Sequence, residues 1–396
     1  MSQVQPKQPA ELIRSEQQAC DVAQRLAQQF RKDATERDRE RKLPHQELQQ
    51  LFQSGLGAIT VPRQYGGIAI STASLAAIIA SLSEADAAIG QVPQNHYYAL
   101  EVLRVNGSEA QKKRFYSEVL AGVHLGNALA EFNSSAAHHR STHIHDGRLN
   151  GKKFYATGAL FADRIPTAAR DEMGKEQLVF VPRYQLGVTV IDDWSGFGQR
   201  TTGSGSVVFD DVVIDAEDVV SFQTAFERPT AVGPFAQIMH AAIDQGIARA
   251  AFCDMIDFLR LRARPWPDSG LKSACDDPLT LDRIGRIAAR LSAGEALLEE
   301  AGVAVDNAQQ HPDTDTVAHA SVNVAKVRAW TTDVSLDASS LLFELSGSRA
   351  SLREYNLDRH WRNARTHTLH DPVRWKYPII GNFILNGVLP PRRGTI

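Results

Sequence analysis

The hydrophobic period changes twice along this chain, and that change limits the folds open to it. From about Pro234 onward, apolar residues recur at helical spacing over long stretches. Residues 235–262 are almost unbroken, and Ile284, Ile287, Leu291 and Leu298 form the stripe of another helix. Val327, Val334 and Leu341 recur at seven-residue intervals, as in the seam of a helix bundle. Asp277–Pro278 reads as an N-cap followed by proline at the first helical position. Residues 122–220 break the pattern. Segments near 126–130, 149–157, 178–182, 188–191 and 206–214 are short and rich in β-formers, with Asp146–Gly147 and Asn150–Gly151 as hairpin-type dipeptides. Ahead of them the helical period holds again, with Val22, Leu26 and Phe30 four apart, a second helix after Pro44 and a third after Ser71–Thr72. A fourth is expected over Glu109–Leu120, after the Asn106–Gly107 break. The expected class is α+β: an N-terminal helical domain at 1–121, a central β-domain at 122–230 and a C-terminal helical bundle at 231–396.

A chain of 396 residues exceeds one small core. Its net charge of −3 gives no basic field for nucleic acid, and no apolar run approaches the roughly 20 residues needed to span a bilayer. The polar N-terminus lacks the apolar core of a secretory signal. Cys20, Cys253 and Cys275 are far apart and odd in number, which argues against a disulfide framework or zinc site and for a reducing cytoplasm.

Function-bearing residues concentrate in 361–372, WRNARTHTLHDP. This stretch holds Arg362, Arg365, His367, His370 and Asp371 near the end of the helical region. His367 and His370 share a face if the helix continues through them. A buried pair of imidazoles beside guanidinium groups suits binding a reduced anionic cofactor and moving its protons. The plain alternative is a polar helix end stopped by Pro372. A second histidine group, His138, His139, His143 and His145, has no accompanying cysteine and few nearby carboxylates, and reads as a polar lid in preference to a metal site.

Several strings, in order, resemble the acyl-CoA dehydrogenase superfamily across essentially the whole chain. They are LPHQELQQLFQSGLGAITVPRQYGG, GNALAEFNSS and DDWSGFGQRTTGSGSVVFDDVVI. RARPWPDSG, HWRNARTHTLHDPV and the closing ILNG are similar to its flavin-dependent monooxygenase branch, the dibenzothiophene monooxygenase type. The likeness extends to oxidoreductases of dimethyl sulfide and dimethyl sulfone utilisation. This resemblance implies a two-component enzyme. FMNH2 from a separate NAD(P)H:FMN reductase reacts with O2 to give a flavin C4a-hydroperoxide, which oxygenates a small organosulfur compound in a cytoplasmic homotetramer.

The resemblance also implies roles for particular residues. Asn127, within the flavin loop of Ala128, Leu129, Ala130, Glu131 and Phe132, belongs near the flavin N5 and C4a edge. Thr157 bonds the same edge, with Lys153, Phe154, Tyr155 and Ala156 lining the isoalloxazine. Trp194 stands beside the flavin and substrate cavity. Arg264 grips the FMN phosphate from a neighbouring subunit, and Ser348 and Arg349 form a second cofactor-binding pair. His370 handles the reduced flavin's proton, with His367 as its neighbour. Two departures touch the substrate: Asn95 stands in place of the branch's tyrosine, and the lid carries extra histidines. The alternative is an FAD-dependent acyl-CoA dehydrogenase with Asp371 as the base that removes the α-proton.

Overall fold

The computed structural model describes residues 10–131 and 141–396. Six α-helices precede Gly122 among these residues: α1 Glu16–Arg31, α2 Ala34–Glu40, α3 His45–Gln53, α4 Thr72–Ala85, α5 Ala87–Asn106 and α6 Glu109–Leu120. The α1 stripe of Val22, Leu26 and Phe30 is buried, and the Ser15 side chain caps its first turn. Two of the six helices escape a periodicity reading. α2 is only seven residues long. α5 is buried almost all round, so it carries no one-sided stripe. Asp86 separates α4 from α5, and its carboxylate accepts from the Ala88 and Ile89 amides.

One seven-stranded sheet follows, built from β1 His143–His145, β2 Arg148–Lys153, β3 Arg164–Arg170, β4 Glu176–Pro182, β5 Val188–Ile191, β6 Ser206–Val213 and β7 Val219–Ser221. Its order is β5-β6-β2-β1-β3-β4-β7, antiparallel except where β1 meets β3. Asp146–Gly147 makes the β1–β2 hairpin, both residues having positive φ (46° and 69°). Asn150–Gly151 does not turn. It lies inside β2 at a register shift, where a Cβ on Gly151 would come within 2.5 Å of the Thr142 hydroxyl. The expected strand at 126–130 is reduced to isolated bridges from Leu125 and Ala128 to β3. β3 itself, RIPTAAR, has little β-propensity, and burial of nearly every residue puts it in the sheet. His143 and His145 belong to β1 instead of a lid, whereas His138 and His139 lie outside the described residues.

The helical period then returns in α7 Thr224–Glu227, α8 Val232–Leu261, α9 Pro278–Gln310, α10 Thr314–Ser346, α11 Asp358–His367 and α12 Lys376–Asn386. Asp277 caps α9 ahead of Pro278, and Val327, Val334 and Leu341 are buried along α10. α8 is the axis of the bundle, packed by α4, α5, α9, α10 and α11. Ile238, Met239, Ile243 and Ile247 on α8 are essentially inaccessible. Each such side chain stabilises the fold by about 1.5–3 kcal/mol, which lets the same helix carry polar side chains inward. No helix among the described residues is long and apolar enough to cross a membrane, and the three cysteines are unpaired.

Candidate active site

The densest buried polar group of the bundle forms around His367, the last residue of α11. Its Nδ1 lies 2.5 Å from Asp244 Oδ1, and its Nε2 lies 3.1 Å from His240 Nδ1. His240 and Asp244 are one turn apart on α8, so both side chains reach the α11 end together. The other Asp244 oxygen accepts from Arg328 and, at 3.2 Å, from the Thr332 hydroxyl, both on α10. Arg328 also lies 3.5 Å from Asp371, and Lys376 Nζ lies 3.1 Å from the same carboxylate. Lys376 further donates to the Thr395 carbonyl at 2.6 Å.

His370 is in a different position from His367. α11 stops at His367, and His370 follows in a turn closed by its N–H donating to the His367 carbonyl at 3.0 Å. The expected buried pair is therefore one buried imidazole and one with 43% of its side chain exposed. The turn brings the His370 ring against that of His240, centroids 4.0 Å apart and planes tilted by 34°.

Burial and charge set the ionisation here. Burial pushes His240 well below the ordinary imidazole value, and the other imidazoles, Arg328 and Lys376 push it the same way. His367 is also lowered by burial, although Asp244 opposes that shift. Burial would raise Asp244, but Arg328 and His367 hold it below the usual carboxylate range. Asp371 is likewise held low against burial by His370, Arg328 and Lys376, and burial lowers Lys376. The cluster thus consists of two carboxylates and two cations with neutral inner imidazoles.

A second group lines the sheet. The Asn127 amide donates to the Tyr155 carbonyl at 3.3 Å. Tyr155, held at φ 59°, is 45% exposed and forms an aromatic corner with Phe154 and Trp194. Thr157 is buried, and its hydroxyl lies 2.7 Å from Ser204 Oγ, itself 2.6 Å from Thr202 Oγ1. Thr202 Oγ1 and Trp194 Nε1 both donate to the Gln199 carbonyl. The Gln199 N–H donates to Asn363 Oδ1 at 2.7 Å. Asn363 is one turn before His367 on α11, so one short helix positions both groups. Gly198 allows the approach, because a Cβ there would sit 1.9 Å from the Arg362 carbonyl oxygen.

Not every expected residue lines this ledge. Lys153 is fully buried and paired to Glu131 at 2.7 Å, where burial would raise the carboxyl but Lys153 and Ser141 hold it at about 2. That pair ties the 127–131 loop to β2. Ala128 and Ala156 are buried, while Leu129, Ala130 and Phe154 keep exposed surface. Phe132 lies outside the described residues. Arg264 is exposed after α8 with no partner among the described residues, and Ser348 and Arg349 are exposed after α10. These two segments meet at Tyr355, whose hydroxyl accepts from Arg349 Nε at 3.2 Å and whose ring lies 5.0 Å from the Arg262 guanidinium. Asn95 remains half-buried on α5, whereas His96 beside it is locked in the core between the Gly57 carbonyl and the Leu125 amide.

Comparison with known proteins agrees with this architecture. The N-terminal domain model of acyl-CoA dehydrogenases matches residues 14–123, and the C-terminal domain model matches 238–375. The chain is 32% identical over 389 residues to a dibenzothiophene monooxygenase of Rhodococcus erythropolis, covering 93% of each. It is 30% identical to the probable FMNH2-dependent monooxygenase SfnC of Pseudomonas putida, covering 94% of this chain and 96% of that one. The FMN-bound TdsC structure from Paenibacillus sp. A11-2 superposes with a TM-score of 0.91 at 30% identity, covering 96% of this chain and 100% of that chain. The chain belongs to the acyl-CoA dehydrogenase superfamily, in its monooxygenase branch.

Within that superfamily, sequence reasoning found His367, His370 and Asp371 but missed His240, Asp244, Arg328 and Lys376. A signal for them existed. His240 and Asp244 are the ionisable residues of an otherwise uncharged stretch at 231–248, four apart, and Arg328 directly follows the seam residue Val327.

Proposed function

We propose that the chain is a flavin-dependent monooxygenase of organosulfur metabolism that takes FMN, in its reduced form, as cofactor. The observation that carries this over the dehydrogenase reading is the state of Asp371. Removing an α-proton needs a carboxylate with a raised pKa. Asp371 is buried against Lys376 and Arg328 and held low, so it is a poor base and a good counter-ion. The acid–base side chain of the cluster left within reach of a ligand is the partly exposed imidazole of His370.

The ledge fits a flavin. Asn127 and Thr157 offer neutral polar groups, and Phe154, Tyr155 and Trp194 form an apolar wall beside them. Arg264 and Arg349 are exposed, and a guanidinium fork suits a terminal phosphate. When bound, reduced FMN supplies the two electrons by which one oxygen atom of O2 reaches the substrate and the other leaves as water. Asn127 and Thr157 orient the flavin edge. Trp194 and Tyr155 exclude water from it, and His370 exchanges the proton at its imidazole nitrogen.

The substrate is a small organosulfur compound, and FMNH2 comes from a separate reductase. A homotetramer is supported by the apolar surface on α12 and its tail, where Tyr377, Ile384, Leu385, Val388 and Leu389 are all exposed. The test of the reading is His370→Ala. It is expected to retain fold and FMN affinity while oxygenation falls about 10²–10⁴-fold, the usual loss when acid–base help is removed. Wild-type oxygenation by the variant would make His370 structural.

A further inference from the structure

Beyond the residues that resemblance supplies, the bundle places a third imidazole in the site, and its distances together with the ionisation of Asp244 point to which atoms carry protons. Asp244 is ionised, so its carboxylate can only accept, and His367 Nδ1 at 2.5 Å must be the donor. Burial, with the Arg328 charge, favours neutral His367 against the pull of Asp244, and with Nδ1 donating to Asp244 the neutral ring carries its lone pair on Nε2. His240 Nδ1, 3.1 Å from that atom, must then bear the hydrogen. The His240 ring in turn packs against that of His370, centroids 4.0 Å apart. The order is thus carboxylate, neutral imidazole, neutral imidazole, exposed imidazole.

We propose that His240 is a positioning residue of the oxygenation reaction: by donating Nδ1–H to His367 Nε2 it keeps His367 neutral, so His370 alone exchanges the proton. This rests on the role given to His370 above. An additional buried cation in this cluster would face Arg328 from α10, Lys376 from α12 and His370 from the turn, against the carboxylates of Asp244 and Asp371. The donor hydrogen on His240 blocks the site where that extra proton would bind. A phenylalanine at 240 would fill the space but leave His367 Nε2 bare beside Asp244, so His367 would protonate more readily. A glutamine could still donate to Nε2 without ionising.

The test is the ring-nitrogen NMR spectrum of ¹⁵N-histidine-labelled, flavin-free protein between pH 5 and 9, with His240→Phe and His240→Gln beside wild type. In wild type, His367 Nε2 is expected to be unprotonated near neutral pH. In His240→Phe its titration moves to higher pH, and His240→Gln restores the wild-type behaviour. Oxygenation of methyl phenyl sulfide with supplied FMNH2 should show the same split. The Phe variant loses about tenfold, the scale of a buried hydrogen-bond partner left unmade, with the acid limb of its rate profile moved upward, and the Gln variant recovers. An unchanged His367 titration in His240→Phe overturns the proposal. If instead His370→Ala keeps full activity while the His367 titration still responds to residue 240, the role of His370 fails and the tautomer assignment stands.

Discussion

The two halves of the candidate site are built on opposite plans. On the bundle side, His240, Asp244, Arg328, His367, Asp371 and Lys376 are almost wholly buried and held by charge. On the sheet side, Asn127, Tyr155 and Trp194 are partly exposed, Thr157 is buried, and the contacts are between neutral groups. A buried ion cluster is rigid and expensive to unbalance, whereas a neutral ledge can accept a large planar ligand without rearranging charge. In the proposed reading the proton chemistry falls to the bundle and the flavin surface to the sheet; α11 touches both sides through Asn363 and His367.

Unbalancing the bundle should have the largest effect on stability. Arg328→Met leaves Asp244 and Asp371 short of a cation, and a loss of about 3–5 kcal/mol is expected, read by urea unfolding. Thr157→Val, on the sheet side, should cost no more than about 1–2 kcal/mol in the same assay. Equal losses would erase the contrast.

Acid should sharpen it further. His96, lowered to about 4 by burial, and the lowered His240 and His367 are neutral in the fold but bind protons near 6.5 when unfolded. Their stabilising contribution is complete above about pH 6.5 and is lost as pH falls toward the folded values. For His96 alone this amounts to roughly 3 kcal/mol by pH 4. The melting temperature of flavin-free protein should therefore fall between pH 6.5 and 4, with a shallower fall in His240→Gln.

In the proposed reading, cofactor affinity rests on the sheet side and the exposed arginines. Arg264→Ala should weaken FMN binding by about 1.5–3 kcal/mol, the strength of charge-assisted hydrogen bonds, measured by fluorescence quenching. Asn127→Ala should cost about 1 kcal/mol, since it removes a neutral hydrogen bond. A larger loss at Asn127 than at Arg264 would place the phosphate elsewhere.

How far the sequence reveals this site follows from where the information lies. Helices with a one-sided stripe, such as α1, and capped ones, such as α9, are legible because local chemistry decides them. β3 and α5 are not, because burial on all sides removes the period. His367, His370 and Asp371 are neighbours in the chain and could be read together. Their partners His240, Asp244 and Arg328 lie 127, 123 and 39 residues before His367, separations that only the folded bundle closes. The end of α11 at His367 is also a tertiary fact, and it converts an expected buried pair into one buried and one accessible imidazole.

The most direct test of the account supplies the protein with FMNH2 and ¹⁸O₂ and presents dibenzothiophene, methyl phenyl sulfide and butyryl-CoA in parallel. The account predicts one labelled oxygen atom in a sulfur product per flavin oxidised, and no enoyl-CoA. Enoyl-CoA formation, with all the oxygen recovered as hydrogen peroxide and none in either sulfur compound, would contradict it.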